Sequence, residues 1–370
     1  MKHHLSLAVL LLAACGDGSP DPQHDAGVDA GAAPVRAVVV AGDFNAGSPG
    51  VLSVVDVERR TVMQNVGPAM AVDHDPVLRK HGDELFVVGR GLNNVTILDA
   101  ADFSFLEQLS TGAGTNPQDV AVVDDQLFVA TFLGKGLVAL RRGSSEITEI
   151  DLSADDPDGV PNCNSVYPVD GRLFVACELL DESFAPRGPG KVYVVDAASH
   201  EVVTTVTLTT ANPINLLERL PAGAPHAGDL VIGTIVFASG AGCVERITTS
   251  ATPTAAGCLV DNTALGGYAA RVGYRAGDPD GALWLVVSQP DFSTVVRTYD
   301  PSEDAVSEPV SRAGQSPLDL AICPDGHVVV SDAPFGGSGG LRIYDGATEL
   351  TTSPLAIGLN PASVAGLACY

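Results

Sequence analysis

One short pattern recurs along this chain and restricts its fold more than any other feature. Five segments, DELFVVG, DQLFVAT, GRLFVAC, GALWLVV and GHVVVSD, place a turn residue before a run of apolar, β-forming residues. Further short β-rich runs lie around them, separated by Gly, Asp and Asn. Residues 75–110 show the unit most clearly. Residues 76–78 open a strand, Gly82-Asp83 turns it and 84–88 run back; Asn93-Asn94 turns again before 95–98 and 105–109. Residues 117–151 repeat this order, with strands at 119–123, 126–130, 136–140 and 147–150. Entry points fall at Pro76, Pro117, about Val166, Pro213, about Tyr268, Pro317 and Pro361, between 41 and 55 residues apart. Four strands at that period mark β-propeller blades; leucine-rich, ankyrin and tetratricopeptide repeats are shorter and patterned differently.

The chain ends supply the closure. Residues 36–67 hold three strands, at about 36–41, 51–56 and 61–66, and 361–369 read as an isolated first strand. Pairing one with the other completes a blade and removes the open sheet edges that invite aggregation. The expected fold is therefore all-β: a seven-bladed propeller of four-stranded antiparallel blades, closed by the C-terminal strand on the N-terminal blade. The unit at 213–262 is the least regular, which leaves six or eight as neighbouring counts.

Ahead of this body lies a different kind of sequence. A charged start, an apolar stretch at 5–12 and Leu12-Ala13-Ala14-Cys15 resemble the signal peptide and lipobox of bacterial lipoproteins. The stretch is too short to span a bilayer, which takes about 20 apolar residues. The resemblance implies cleavage after residue 14, lipidation of Cys15 and attachment to the cell envelope. Gly16, rather than Asp, after that cysteine points to the outer membrane of a Gram-negative bacterium. Residues 16–34, rich in Gly, Ala, Pro and Asp, read as a flexible acidic tether that cannot offset its ordering entropy. The expected organisation is a signal peptide at 1–14, a lipidated cysteine and tether at 15–34, and a propeller at 35–370.

Charge narrows the partners. The chain has 20 Lys and Arg against 45 Asp and Glu, a formal net charge of −25. That excludes non-specific nucleic-acid binding, which needs a basic face, and attraction to anionic lipid headgroups. Membrane contact is then expected through the lipid anchor alone, and the protein as a monomer.

Six cysteines remain after Cys15: Cys163, Cys177, Cys243, Cys258, Cys323 and Cys369. An even count in an exported chain points to disulfides, with fifteen pairings open. Propeller topology narrows them. Cys163 and Cys177 bracket the first hairpin of the fourth blade, Cys243 and Cys258 bracket a polar excursion in the fifth, and Cys323 and Cys369 both end first strands at the seam.

The repeats also carry a family likeness. NPQDVAVVDDQLFVAT, NNVTILDAADFSFLEQLSTG and GKVYVVDAASHEVVTTVTL resemble the YVTN-type repeats of YncE-like seven-bladed propellers. The likeness weakens over the fifth blade. It implies a fold but not a function, because such propellers host many roles. A single tryptophan, Trp284, argues against WD repeats and tryptophan-docking quinoproteins.

Catalytic signatures do not appear. The body's histidines, His74, His81, His200, His226 and His327, are isolated in sequence, and no HExxH, nucleophile elbow or P-loop is present. Two DPDG runs, at 156–159 and 278–281, read as turns, since they lack the ligand spacing and closing Glu of a calcium loop. Asp151, Asp155, Asp156 and Asp158 around the first are the candidate Ca²⁺ ligands; no other cofactor is expected. Where first strands begin, a propeller gathers polar residues at its channel mouth. Asp73, His74, Asp75, Asn116, Gln118, Asn164, Asn212, Asn215, Gln315, Ser316 and Asn360 occupy those positions and are the candidate binding residues.

Three functions fit. The leading one is a membrane-anchored, non-catalytic binding or protein-interaction module whose partner is an envelope protein, a peptide or a glycan. The alternative is a metal-dependent enzyme of lactonase or lyase type at the channel mouth, using Asp73, Asn164 and Asn212 but lacking an inward glutamate. The third is a structural part of an envelope assembly.

Overall fold

The computed structural model describes residues 34–45, 47–275, 283–334, 336–337, 339–361 and 365–370. The leader, Cys15, all but the last residue of the expected tether and the second DPDG run lie outside the described residues. The described residues form seven four-stranded antiparallel sheets. Six follow one another along the chain, beginning at Pro76, Pro117, Cys163, Pro213, Tyr268 and Pro317. The remaining sheet joins the two ends. Its order is Leu367–Cys369, Arg36–Ala41, Val51–Asp56, Thr61–Met63, with Ala37 opposite Cys369 and Val39 opposite Leu367. That sheet is blade 1, and blades 2 to 7 follow to Glu349. The only helical turns among the described residues are Ser153–Asp155 and Asn262–Leu265.

Blade stacking explains the recurring apolar run. Each second strand is covered on both faces by neighbouring blades, so it loses the alternation of a half-exposed strand. In blade 2, five of the six residues of Glu84–Gly89 are buried, whereas the outer strand Phe105–Ser110 buries one. The apolar clusters sit between blades. Phe128 and Leu137 of blade 3 pack on Val166 and Leu173 of blade 4, and Trp284 of blade 6 packs with Tyr344 of blade 7. Asp170 and Gly171, both at positive φ, make the tight turn of the Cys163–Cys177 hairpin.

The inner strands are joined by side chains as well as by packing. Several carry a β-bulge near their start, which frees a backbone donor or re-aims a side chain. Asp119 of blade 3 accepts from its own neighbour Val120 N (2.8 Å) and from Val166 N (2.9 Å) and Ser165 Oγ (3.0 Å) of blade 4. Ser165 Oγ accepts in turn from Leu217 N of blade 5 (2.9 Å). Asp319 of blade 7 repeats the device, accepting from Leu320 N (2.8 Å) and from Leu367 N of blade 1 (2.9 Å). Burial pushes the Asp319 carboxyl up to about 6, against the pull of Arg271.

All three expected disulfides are present: Cys163–Cys177, Cys243–Cys258 and Cys323–Cys369. Some boundaries differ from expectation. Blade 4 begins at Cys163 rather than near Val166, and the strand from Thr61 ends at Met63. The closing strand is Leu367–Cys369, not a strand entered at Pro361. Just ahead of it the Ala365 carbonyl accepts from Leu78 N of blade 2 (2.9 Å).

Candidate binding site at the channel mouth

The inner strands begin around one mouth of the ring, and a cavity of 310 Å³ opens there. Its polar centre belongs to blade 4. Asn164 is the extra residue of the bulge between Cys163 and Ser165, and Glu178 follows Cys177 on the paired strand. The disulfide thus fixes the two strands where these side chains meet, and the bulge aims the amide. Asn164 Nδ2 donates to Glu178 Oε1 (2.8 Å) and to the Pro213 carbonyl (2.6 Å), while its Oδ1 is buried with no partner. Burial pushes the Glu178 carboxyl up to about 8, outweighing the Asn164 hydrogen bond. That shift favours the protonated form at neutral pH. In that form, with Oε1 accepting from Asn164, Oε2 is the donor.

Opposite lies Arg90, after the second strand of blade 2. Its guanidinium is held by Asp75 (2.6 Å) and by Gln118 Oε1 (3.1 Å). Gln118 Nε2 donates to Asn116 Oδ1 (2.6 Å), so Asn116 orients the amide that lines the cavity. Two aromatic pairs flank the opening. Phe132 and Phe184 stack with centroids 6.5 Å apart; Phe237 and Tyr268 meet edge to face at 5.7 Å. Beside the second pair a further cavity of 610 Å³ shares Phe237 and Tyr268.

The expected mouth residues divide between lining and support. Gln118, Asn164 and Asn215 line the cavity, and Asn116 and Asp75 stand behind it. Asp73 is a buried brace. It accepts from Gly91 N (2.7 Å) and Leu92 N (2.9 Å) and contacts His74 Nδ1 at 2.5 Å. A Cβ at Gly91 would lie 2.1 Å from the His74 ring, so a larger residue there would push that ring off its contact with Asp73. Asn212 is buried against blade 5, its carbonyl accepting from Ile235 N (3.2 Å). Gln315 binds Glu349 (3.0 Å) and Tyr344 (3.0 Å), Ser316 N donates to Asp332 (2.7 Å), and Asn360 accepts from Gly339 N (2.7 Å). The four aspartates of the first DPDG region do not converge. Asp155 pairs with Lys191, Asp156 and Asp158 with Arg187, and Asp151 with Lys135. Among the described residues no three His, Cys, Asp or Glu side chains come together as a metal site.

Glu178, Arg90, Phe132, Phe237 and Tyr268 were not anticipated. The signal for the first three was positional: each stands at or just past the end of a buried second strand, where the chain emerges at the mouth.

The same face carries a crown of apolar tips. A first strand leads away from the mouth and the second returns, so loops between second and third strands rise around the opening. Blades 1 to 6 each expose one large apolar residue there: Phe44, Leu92, Leu133, Phe184, Phe237 and Phe292, from 50% to 93% exposed. Phe44, Phe184 and Phe292 do so at φ near +60°. A preceding aspartate holds each turn: Asp43 accepts from Asn45 N (3.0 Å), Asp181 from Ala185 N (2.9 Å) and Asp291 from Ser293 N (3.0 Å). A bulky residue in this region costs roughly 1–2 kcal/mol.

No protein-family model matches the chain, and no curated protein does. Solved structures do. A putative 6-phosphogluconolactonase from Bacteroides uniformis superposes with a TM-score of 0.61 at 13% identity, over 91% of this chain and 100% of that one. AztD from Citrobacter koseri gives 0.51 at 14%, over 91% and 98%. Virginiamycin B lyase from Staphylococcus aureus gives 0.53 at 12%, over 78% and 86%. The shared property is the fold. At these identities a lactonase, a lyase and AztD are equally silent on what this ring does.

Proposed function

We propose that the protein is a YncE-like, lipid-anchored propeller of the cell envelope that acts as a non-catalytic interaction module. Its partner is a protein laid against the loop face, with an uncharged, hydrogen-bonding segment inserted into the mouth cavity. One observation carries this reading: an apolar crown drawn from six blades surrounds a cavity whose centre is an unpartnered amide oxygen beside a neutral acid. A small ligand would need only the cavity, whereas tips spread over six blades fit a protein-sized surface. Phenylalanines held exposed at positive φ are a cost to folding that only Phe184 partly offsets, by stacking on Phe132, as expected of a functional surface. The net charge of −25 disfavours an anionic lipid surface as the occupant.

Photo-crosslinking tests this. A photoreactive residue replacing Phe292 or Phe184 in the full-length protein, irradiated in its native envelope, is expected to give the same protein adduct from both positions. Asn164→Ala is expected to weaken that adduct. Adducts to phospholipid alone, or protein adducts that differ between the two positions, would overturn the reading. The enzymatic alternative gains Glu178 as the inward glutamate it lacked, but among the described residues this is the only acid lining the cavity.

A further inference from the structure

The opposite mouth of the ring has a different character. Inner strands end there around a cavity of 470 Å³ lined by Arg79, Lys80, Arg219 and Arg271, with Glu218 the one lining acid among the described residues. This is a concentration of cations in a chain that has 20 Lys and Arg against 45 Asp and Glu. Two of the guanidiniums are anchored from beneath. Arg79 Nε contacts Asp119 (2.6 Å) and Arg271 Nε contacts Asp319 (3.1 Å), both carboxylates being buried. Arg271 also reaches Glu218 (3.4 Å). The anchors leave other N–H groups of both arginines fixed in direction, a preorganised arrangement for planar or tetrahedral oxyanions.

Lys80 and Arg219 have no carboxylate partner among the described residues. Lys80 Nζ donates to the Gly82 carbonyl (2.6 Å) and sits 4.6 Å above the Tyr370 ring. Arg219 Nε donates to the Gly228 carbonyl (3.3 Å). Both are exposed. The four cations thus face three carboxylates, two of them out of a ligand's reach. The acidic surface elsewhere does not cancel this, because at physiological salt charges beyond about 8 Å are screened and the local sign decides.

We propose that this mouth is a binding site for a small multivalent oxyanion, a polyphosphate or polycarboxylate, gripped by Lys80 and Arg219 against the fixed guanidiniums of Arg79 and Arg271. The site is separate from the crown and does not depend on the function proposed for it.

Calorimetric titration of the full-length protein with pyrophosphate and with citrate tests this, glucose serving as the uncharged control. Saturable binding of at least one anion is expected, weakening as salt rises and falling tenfold or more in Lys80→Ala/Arg219→Ala. Asn164→Ala is expected to bind it unchanged. The stronger of the two anions tells phosphate from carboxylate chemistry. If the double variant loses its native near-UV signal, Arg219→Lys replaces it, keeping the charge and giving up the paired N–H geometry; the same direction of loss is expected. No saturable heat with either anion, or equal affinity in the variants, would overturn the proposal.

Discussion

Replacing Glu178 with glutamine isolates the cost of burying an acid at the mouth. The side chain is almost wholly buried and its carboxyl is pushed up to about 8 from an ordinary 4.5. The direction of the linkage follows. A carboxyl that binds its proton more tightly when folded contributes fully below the unfolded value, and the contribution is lost as pH rises through the folded one. Between pH 4.5 and 8 the folded state therefore loses about 5 kcal/mol from this group, of which about 3 is gone by pH 7. Glutamine keeps an oxygen for Asn164 Nδ2 and does not titrate. Urea unfolding of both proteins at pH 5, 7 and 9 reads the difference directly. Glu178→Gln is expected to gain on the wild type by a few kcal/mol between pH 5 and 9. Asp319, also raised, is present in both and cancels. Parallel stability curves over this range would refute the reasoning.

Three other outcomes are expected. Removing the seam bridge with Cys323→Ser/Cys369→Ser releases a 46-residue separation, and Cys163→Ser/Cys177→Ser one of 14. Chain entropy gives about 4 and about 3 kcal/mol, so the seam variant should show the lower urea midpoint; the reverse order would count against that account. Glu245, fully buried, accepts from the backbone N–H and hydroxyl of both Thr209 and Thr210 where blade 4 passes to blade 5. Glu245→Ala should cost about 3 kcal/mol or more in chemical denaturation, and a loss under about 1 would show that the threonines find other partners. Phe292→Gly should hold or raise the unfolding midpoint while removing the crosslinked adduct, because positive φ is free to glycine and the ring is in solvent. A drop above about 1 kcal/mol would mean the ring packs.

The ring was legible because its physics is local. A strand covered on both faces becomes a continuous apolar run, as in Leu127-Phe128-Val129-Ala130, and the tight turns show as Asp-Gly or Asp-Asp. The cysteines became legible once strands were counted. What escaped depends on residues far apart in sequence. Asp119 and Asp319 stand two places after a proline and read as turn residues. Their partners Val166 and Leu367 lie 47 and 48 positions on, in another blade. Glu178 resembled an ordinary acid after a strand, and only the Asn164 bulge and the covering blades make it a buried, neutral one. Asp73, expected at the mouth, is held by the backbone N–H groups of Gly91 and Leu92, and His74 by Asp73.

The closing sheet has a consequence for how the molecule comes into being. Arg36–Ala41 is made long before its inner neighbour, Leu367–Cys369. Blades 2 to 7 can form in order as the polypeptide lengthens, but the oldest sheet stays unfinished until the newest residues arrive. Shortening the chain by only four residues from Tyr370 would then harm its beginning rather than its end. It would leave a hoop cut at the seam, with Val39 lacking its partner and Cys323 lacking its mate.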